Sequence, residues 1–321
     1  MSIWSVIKKL YSDNLFVRMD DDGSLFYFKT EDFDGLLRFP FSFKTKAGHR
    51  LQGYFYYYGE PSRDRVIVFD HGMGNGHRAY MREIERLAAS GYTVYSYDHT
   101  GCTESEGEAI RGFSGSLADL DSCITAIKKS EDFGKASIAV VGHSWGGFST
   151  LNITALHPEI THAVAMSGFI SVRDAQKQFV PAFLFPYRKK LYELEREANP
   201  EYVDSSAIEA LSTTKSKVLV IHSTDDRTVS YKKHFLKLKR KVGARDNISF
   251  ISLSGRDHNP NYTDDAVEYK NAFFLDYSSK KKAGELSTDE AKSAFKAKYD
   301  WRRMTEQDDA LWSQILEFLR Q

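Results

Sequence analysis

Ser144 stands in "IAVVGHSWGGFST" (138–150), between Gly142 and Gly146, where an apolar run gives way to helix-forming residues. A sharp strand-to-helix turn lifts a hydroxyl clear of a sheet but forces an unfavourable backbone. Small residues two before and two after the serine make room for it. An inert tight turn is the competing reading, because Gly-x-Ser-x-Gly alone also arises by chance. The strand–turn–helix context selects the nucleophile.

A serine hydroxyl is a weak nucleophile and needs a base, which in turn needs an orienting acid. In the chain order Ser, acid, His, the base lies well downstream. Of the ten histidines, His157 and His162 are too close in sequence to return over Ser144. His234 sits in a basic helical stretch, and His222 ends a strand with no acid suitably placed before it. His258, in "SLSGRDHN" just past the last predicted strand, is the expected base; a surface-loop histidine is the alternative. "VLVIHSTDDRTV" offers Asp225 and Asp226 after a strand. Asp226 is preferred, with Val229 as an apolar anchor behind it and a helix expected to begin there. Asp225 would then be a turn residue. Asp257 is expected to point elsewhere on extended backbone.

The developing oxyanion needs two N–H donors about 3 Å away. The Trp145 amide, just after the serine, is one, and the Met73 amide in the glycine-rich "VFDHGMGNGHR" (68–78) is the expected second. A phosphate cradle is the other reading of that loop, but neither Gly-x-Gly-x-x-Gly nor a Walker Lys-Ser/Thr is present.

The elements that must position these groups alternate. "LLRFPFSFKTKAGHRLQGYFYYY" (36–58) reads as two strands turning at Gly48. Apolar runs at 65–70, 92–98, 136–142, 161–168, 216–222 and 248–255 read as strands covered on both faces. Helical stretches at 78–90, 117–130, 148–157 and 231–242 separate most of them. The fold class expected is α/β: a doubly wound, mostly parallel eight-stranded sheet. The core spans 1–168 and 213–321, interrupted by a strandless, helix-prone insertion at 169–212 and a polar, Lys-rich excursion at 259–306 before a last helix.

Lys plus Arg equal Asp plus Glu at 44 each, which gives no long-range pull toward nucleic acid or anionic lipid. The basic stretch 231–241 reads as the solvated face of an amphipathic helix. Cys102 and Cys123 are too few for a disulfide framework or a zinc site. No secretory signal pattern and no run near the roughly 18 apolar residues of a membrane span occur. The expectation is a cytoplasmic protein without stable membrane insertion, metal or organic cofactor; its oligomeric state stays open.

Together these pieces resemble the α/β-hydrolase superfamily, nearest its monoacylglycerol-lipase and serine-aminopeptidase-like branch. The resemblance rests on His-Gly-x-Gly, a helix, then "YTVYSYDHTGCTESEG", and covers roughly residues 36–258 plus the final helix. It implies a triad of Ser144, Asp226 and His258, an oxyanion hole of Met73 and Trp145, and a cap between the sixth strand and the acid loop. Thr100 and Thr103 depart from the family, where arginine and glycine are common, and so does the 259–306 excursion. The cap centre "FVPAFLFPY" (179–187) is apolar, which favours an acyl or aryl group. A serine hydrolase of short or medium acyl esters is expected, with a small-molecule ester as partner. The alternatives are a serine peptidase and a non-catalytic binding protein of the same fold.

Overall fold

The computed structural model describes residues 2–74 and 76–321. Its single sheet has eight strands: β1 (Leu36–Lys44), β2 (Arg50–Tyr58), β3 (Arg65–Asp70), β4 (Thr93–Tyr97), β5 (Ser137–His143), β6 (His162–Met166), β7 (Lys217–Ser223) and β8 (Ile248–Leu253). Their spatial order is β1-β2-β4-β3-β5-β6-β7-β8. The β1–β2 hairpin and the β2–β4 pair are antiparallel, and every other pairing is parallel. The sheet is open, as the strand–helix alternation predicts.

Helix α1 (Ile3–Leu15) precedes the sheet, and α2 (Met81–Ala89), α3 (Gly115–Lys129) and α4 (Trp145–Leu156) fill the first crossovers. Side chains alternate along a strand. Val66 and Val68 of β3 therefore pack with Leu120 and Ile124 of α3 and Phe148 of α4. Ile67 and Phe69 pack with Ile84 and Leu87 of α2 and with Trp312 and Ile315 of the last helix. Both faces are covered, and for that reason β3 is apolar at nearly every position.

Between β6 and β7 lie α5 (Val172–Phe179), a 3₁₀ segment (Ala182–Tyr187), α6 (Arg188–Ala198) and α7 (Ala207–Thr213). Although α7 begins within the stretch expected to be cap, it buries Ala207 and Leu211 against Ala163, Val218 and Val220 of the sheet. A bridge between Ser171 and Ser206 closes the base of the segment. Even between these two serines, Val172, Ala175, Tyr192, Tyr202 and Val203 are buried in the same cluster as β3 and α3. The basic helix expected from residue 231 begins at Phe235, as α8 (Phe235–Val242). Turns fill the gap after Asp226, so no helix starts at the acid.

The Lys-rich excursion is helical, comprising α9 (Asp264–Lys282), α10 (Asp289–Lys296) and α11 (Trp301–Met304) before α12 (Asp309–Arg320). Thr263 caps α9 by accepting from the Ala266 amide; Asp264 and Asp265 open its first turn, and Lys280, Lys281 and Lys282 close its last. Both charge placements suit the helix dipole. Phe273, Leu286, Phe295 and Met304 form a small separate core. Cys102 and Cys123 are buried free thiols. Among the described residues no helix is long and apolar enough to cross a membrane.

Candidate active site

Ser144 occupies the junction of β5 and α4 with φ 58° and ψ −110°. That left-handed backbone costs a non-glycine residue about 1–3 kcal/mol and persists only where the surroundings enforce it. Here they do. A Cβ on Gly142 would collide with Thr150 Oγ1 and the Gly146 carbonyl, and one on Gly146 would strike the Asp70 carbonyl. The Ser144 amide donates to the Met166 carbonyl at 2.9 Å, pinning the turn to β6.

The loop after β8 brings His258 back over this serine. His258 Nε2 lies 2.8 Å from Ser144 Oγ, and its Nδ1 lies 2.9 Å from Asp226 Oδ2. The Asp226 side chain is 0% exposed, whereas that of His258 is 19% exposed. The other Asp226 oxygen accepts from the Thr228 and Val229 amides, both at 2.8 Å. Burial alone would raise the Asp226 pKa, but hydrogen bonds from His222 and His258 outweigh it and hold the carboxyl well below the usual range. It is a fixed anion.

Asp225 does a different job. Its carboxylate accepts from Ser223 Oγ at 2.5 Å, the Gly255 amide at 2.9 Å and the Asp257 amide at 3.3 Å, tying together the loops after β7 and β8. Asp257 pairs with Arg227 at 3.0 Å and makes no hydrogen bond to the serine or to His258 among the described residues. Its backbone is left-handed, with φ 46°, and not extended as the sequence implies.

Sequence reasoning missed two histidines here. His222 Nε2 sits 3.2 Å from Asp226 Oδ2 and 2.8 Å from the Val229 carbonyl. His143 Nε2 lies 2.6 Å from the His258 carbonyl and its Nδ1 lies 2.9 Å from the Tyr80 hydroxyl. A carbonyl only accepts, so Nε2 carries the proton and Nδ1 accepts from Tyr80. Burial first, and the neighbouring His258 second, push the His143 pKa down to about 3. His143 is therefore a neutral strut between the elbow and the His258 loop. Its place directly before Ser144 was the available signal.

The Gly72–Gly74 loop passes beside the serine: a Cβ on Gly72 would come within 3.4 Å of Ser144 Cβ. Met73 and Trp145 line the same cavity. As the first residue of α4, Trp145 has an N–H with no carbonyl one turn back to bond. Beneath the loop, buried His99 lies 3.1 Å from Asp70 and 3.2 Å from Asp119. Burial opposes its charge, but the two carboxylates prevail and raise it to about 9. Asp70 also accepts from Ser149 of α4 and from Tyr97. Thr100, one departure from the family pattern, donates to Asp119 from N and Oγ1 at 2.8 Å. Thr103, the other, donates to Asp98. The two threonines thus tie this loop to two different buried carboxylates.

The cavity over Ser144 holds about 1100 Å³. Ile7, Leu10 and Tyr11 of α1, Phe179, Phe183 and Leu184 of the segment after β6, and Val267 and Phe274 of α9 form its apolar wall. Among the described residues no three His, Cys, Asp or Glu side chains gather to hold a metal ion.

Residues 61–204 match the family model of the serine aminopeptidases, S33. Among solved structures, the chain is similar to an esterase of Pyrococcus furiosus (19% identity, TM-score 0.58, covering 83% of this chain and 96% of that one). Acetyl xylan esterase 1 of a Thermoanaerobacterium species follows at 15% identity and TM-score 0.54, over 85% and 93% of the two chains. The acylaminoacyl peptidase of Pyrococcus horikoshii is 16% identical with TM-score 0.53, over 71% of this chain and 39% of that one. With its open eight-stranded sheet, its strained serine elbow and the family match over residues 61–204, the chain has the α/β-hydrolase fold and resembles that superfamily in its central stretch.

Proposed function

We propose that the protein is a serine hydrolase that cleaves carboxylic esters of short or medium acyl groups. The observation that carries this reading is the unbroken line from Ser144 Oγ through the His258 ring to buried Asp226, at 2.8 and 2.9 Å. His258 Nε2 takes the hydroxyl proton as Oγ attacks the ester carbonyl. The carbonyl π pair moves onto oxygen, where the Met73 and Trp145 amides stabilise it. When the tetrahedral intermediate collapses, the C–O bond to the alcohol breaks and His258 returns the proton to the departing oxygen. Water then repeats both steps on the acyl-enzyme and frees the acid and the serine. Asp226 keeps the Nδ1–H tautomer and steadies the imidazolium. The segment between Ser171 and Ser206 acts as the cap, with α1 and α9 completing the roof.

The match to serine aminopeptidases favours amide hydrolysis as the second reading. An aminopeptidase needs a carboxylate for the substrate's α-ammonium. Among the described residues lining the cavity, Asp257 is the sole acid, and it pairs with Arg227. The ester reading therefore stands first. Turnover of p-nitrophenyl esters from acetate to decanoate, beside aminoacyl p-nitroanilides, decides between them. Ester turnover falling off at long chains is expected; anilide cleavage without ester cleavage overturns it.

A further inference from the structure

A second cavity of about 310 Å³ shares the walls of the first at Gly72, Met73, Gly74, Tyr80, Lys270 and Phe274. Aromatic side chains line it, Phe26, Phe28 and Trp301 among them, together with three cations: Arg78, Arg82 and Lys270. No Asp or Glu does so among the described residues. None of the three cations forms an ion pair within 4 Å among the described residues, so all three face the cavity without a bound carboxylate.

No acid among the described residues reaches these cations within 4 Å. Glu83 and Asp257 act on Lys270 only at a distance. Glu83 is buried and accepts from Asn261 at 2.9 Å; burial raises its pKa. Asp257 is held by Arg227. Lys270 Nζ donates to Asn259 Oδ1 at 2.9 Å and lies 4.8 Å from the centre of the Tyr262 ring. Arg82 stacks 5.9 Å from Phe28, and its Nε is buried without a hydrogen-bond partner. Burial lowers Lys270 to about 8, which leaves the amine mostly protonated at neutral pH. A partly desolvated cation without a counter-charge is costly until an anion reaches it.

We propose that the natural ester carries an anionic group, a carboxylate or a phosphate, that Lys270, Arg78 and Arg82 bind in this annex while the ester carbonyl lies at Ser144. The proposal rests on the ester-hydrolase reading and narrows its substrate class to amphiphilic anions. The apolar part occupies the large cavity and the charge sits across the Gly72–Gly74 loop. Lys270 borders both cavities, which makes it the specificity-determining residue at their junction.

Two matched pairs test it. One sets 4-butyryloxybenzoate against its methyl ester, placing the charge on the leaving group. The other sets p-nitrophenyl hydrogen glutarate against p-nitrophenyl valerate, placing it on the acyl side. In one pair the anionic member gains in kcat/KM relative to its neutral partner. That ratio falls about tenfold or more in Arg78→Gln and Lys270→Met, as expected for a lost hydrogen bond to a charged group. A ratio that is the same in wild type and variants overturns the proposal and leaves ester hydrolysis intact. Calorimetric binding of benzoate and of phenyl phosphate needs no turnover, so it tests the annex even if no ester is cleaved. Binding of either that weakens in both variants supports the annex and names the anion it prefers; no binding of either overturns it. Thermal melts of the variants within a few degrees of wild type show that the fold survives.

Discussion

The elbow and the roof face each other across one cavity and are built in opposite ways. At the elbow, backbone approaches backbone so closely that Gly142 and Gly146 admit no side chain, and Ser144 is held in a conformation it would not adopt alone. Across the cavity, Phe183 is 80% exposed and Leu10 is 60% exposed. One buried carboxylate, Glu195 of α6, ties the roof down: Tyr11 of α1 donates to it at 2.7 Å and the Phe113 amide at 2.9 Å. Close backbone packing thus holds Ser144 and its neighbours, while a small apolar cluster around Ile7, Val180 and Leu191 and a few polar ties hold the surfaces across the cavity. Precision and adaptability are assigned to different parts of the chain.

Substitutions at the elbow should break this contrast most strongly. Ser144→Ala is expected to lower ester kcat by about 10⁴- to 10⁶-fold with little change in Tm. Ser144→Gly should be equally inactive yet more stable by about 1 kcal/mol, since glycine accepts the positive φ without strain. Equal melting temperatures for the two would mean the elbow stores no strain. Next in size, Asp226→Asn should cost about 10³- to 10⁴-fold in kcat, as loss of the correct histidine tautomer does elsewhere. Asp225→Asn should cost tenfold or less, with a drop in Tm from the loosened loops. If the two exchange ranks in steady-state kinetics, the acid has been assigned wrongly.

Smaller effects sharpen the roof. Burial pushes the Glu195 carboxyl up to about 7, against the pull of Tyr11 and the backbone of Phe113. Its pKa in the unfolded chain is about 4.3, so folding favours the protonated form. That contribution is full below about pH 4.3 and lost as pH rises through 7. The wild type should therefore lose about 2 kcal/mol between pH 5 and 8 from this group, a loss absent in Glu195→Gln. Parallel denaturant titrations at the two pH values check it. Phe183→Ser should be the mildest change, within about 0.5 kcal/mol in stability. It should still raise KM for longer acyl chains more than it lowers kcat.

Legibility in the sequence follows the same division. The strands are continuous apolar runs because both faces are covered, and Gly-x-Ser-x-Gly is forced by backbone contact, so both are local signals. Asp226 and His258 were singled out through chain order and their positions after strands, and the structure sets His258 within hydrogen-bond distance of both Ser144 and Asp226. The roof left no such mark. Phe273 of α9 points into a core of its own while Val267 and Phe274 face the cavity, so no single apolar stripe announces the helix. Tyr11 and Glu195 meet across 184 residues, and neither belongs to a motif. The basic stretch before α8 looks helical from 231, yet the turns that fix Asp226 occupy its start.

The central claim is that the chain activates one hydroxyl, and a fluorophosphonate probe followed by peptide mass spectrometry tests it most directly. The account predicts one adduct per chain, on the peptide bearing Ser144, formed by the wild type and lost in His258→Ala. No adduct, or an adduct on another residue with Ser144 unmodified, would contradict it.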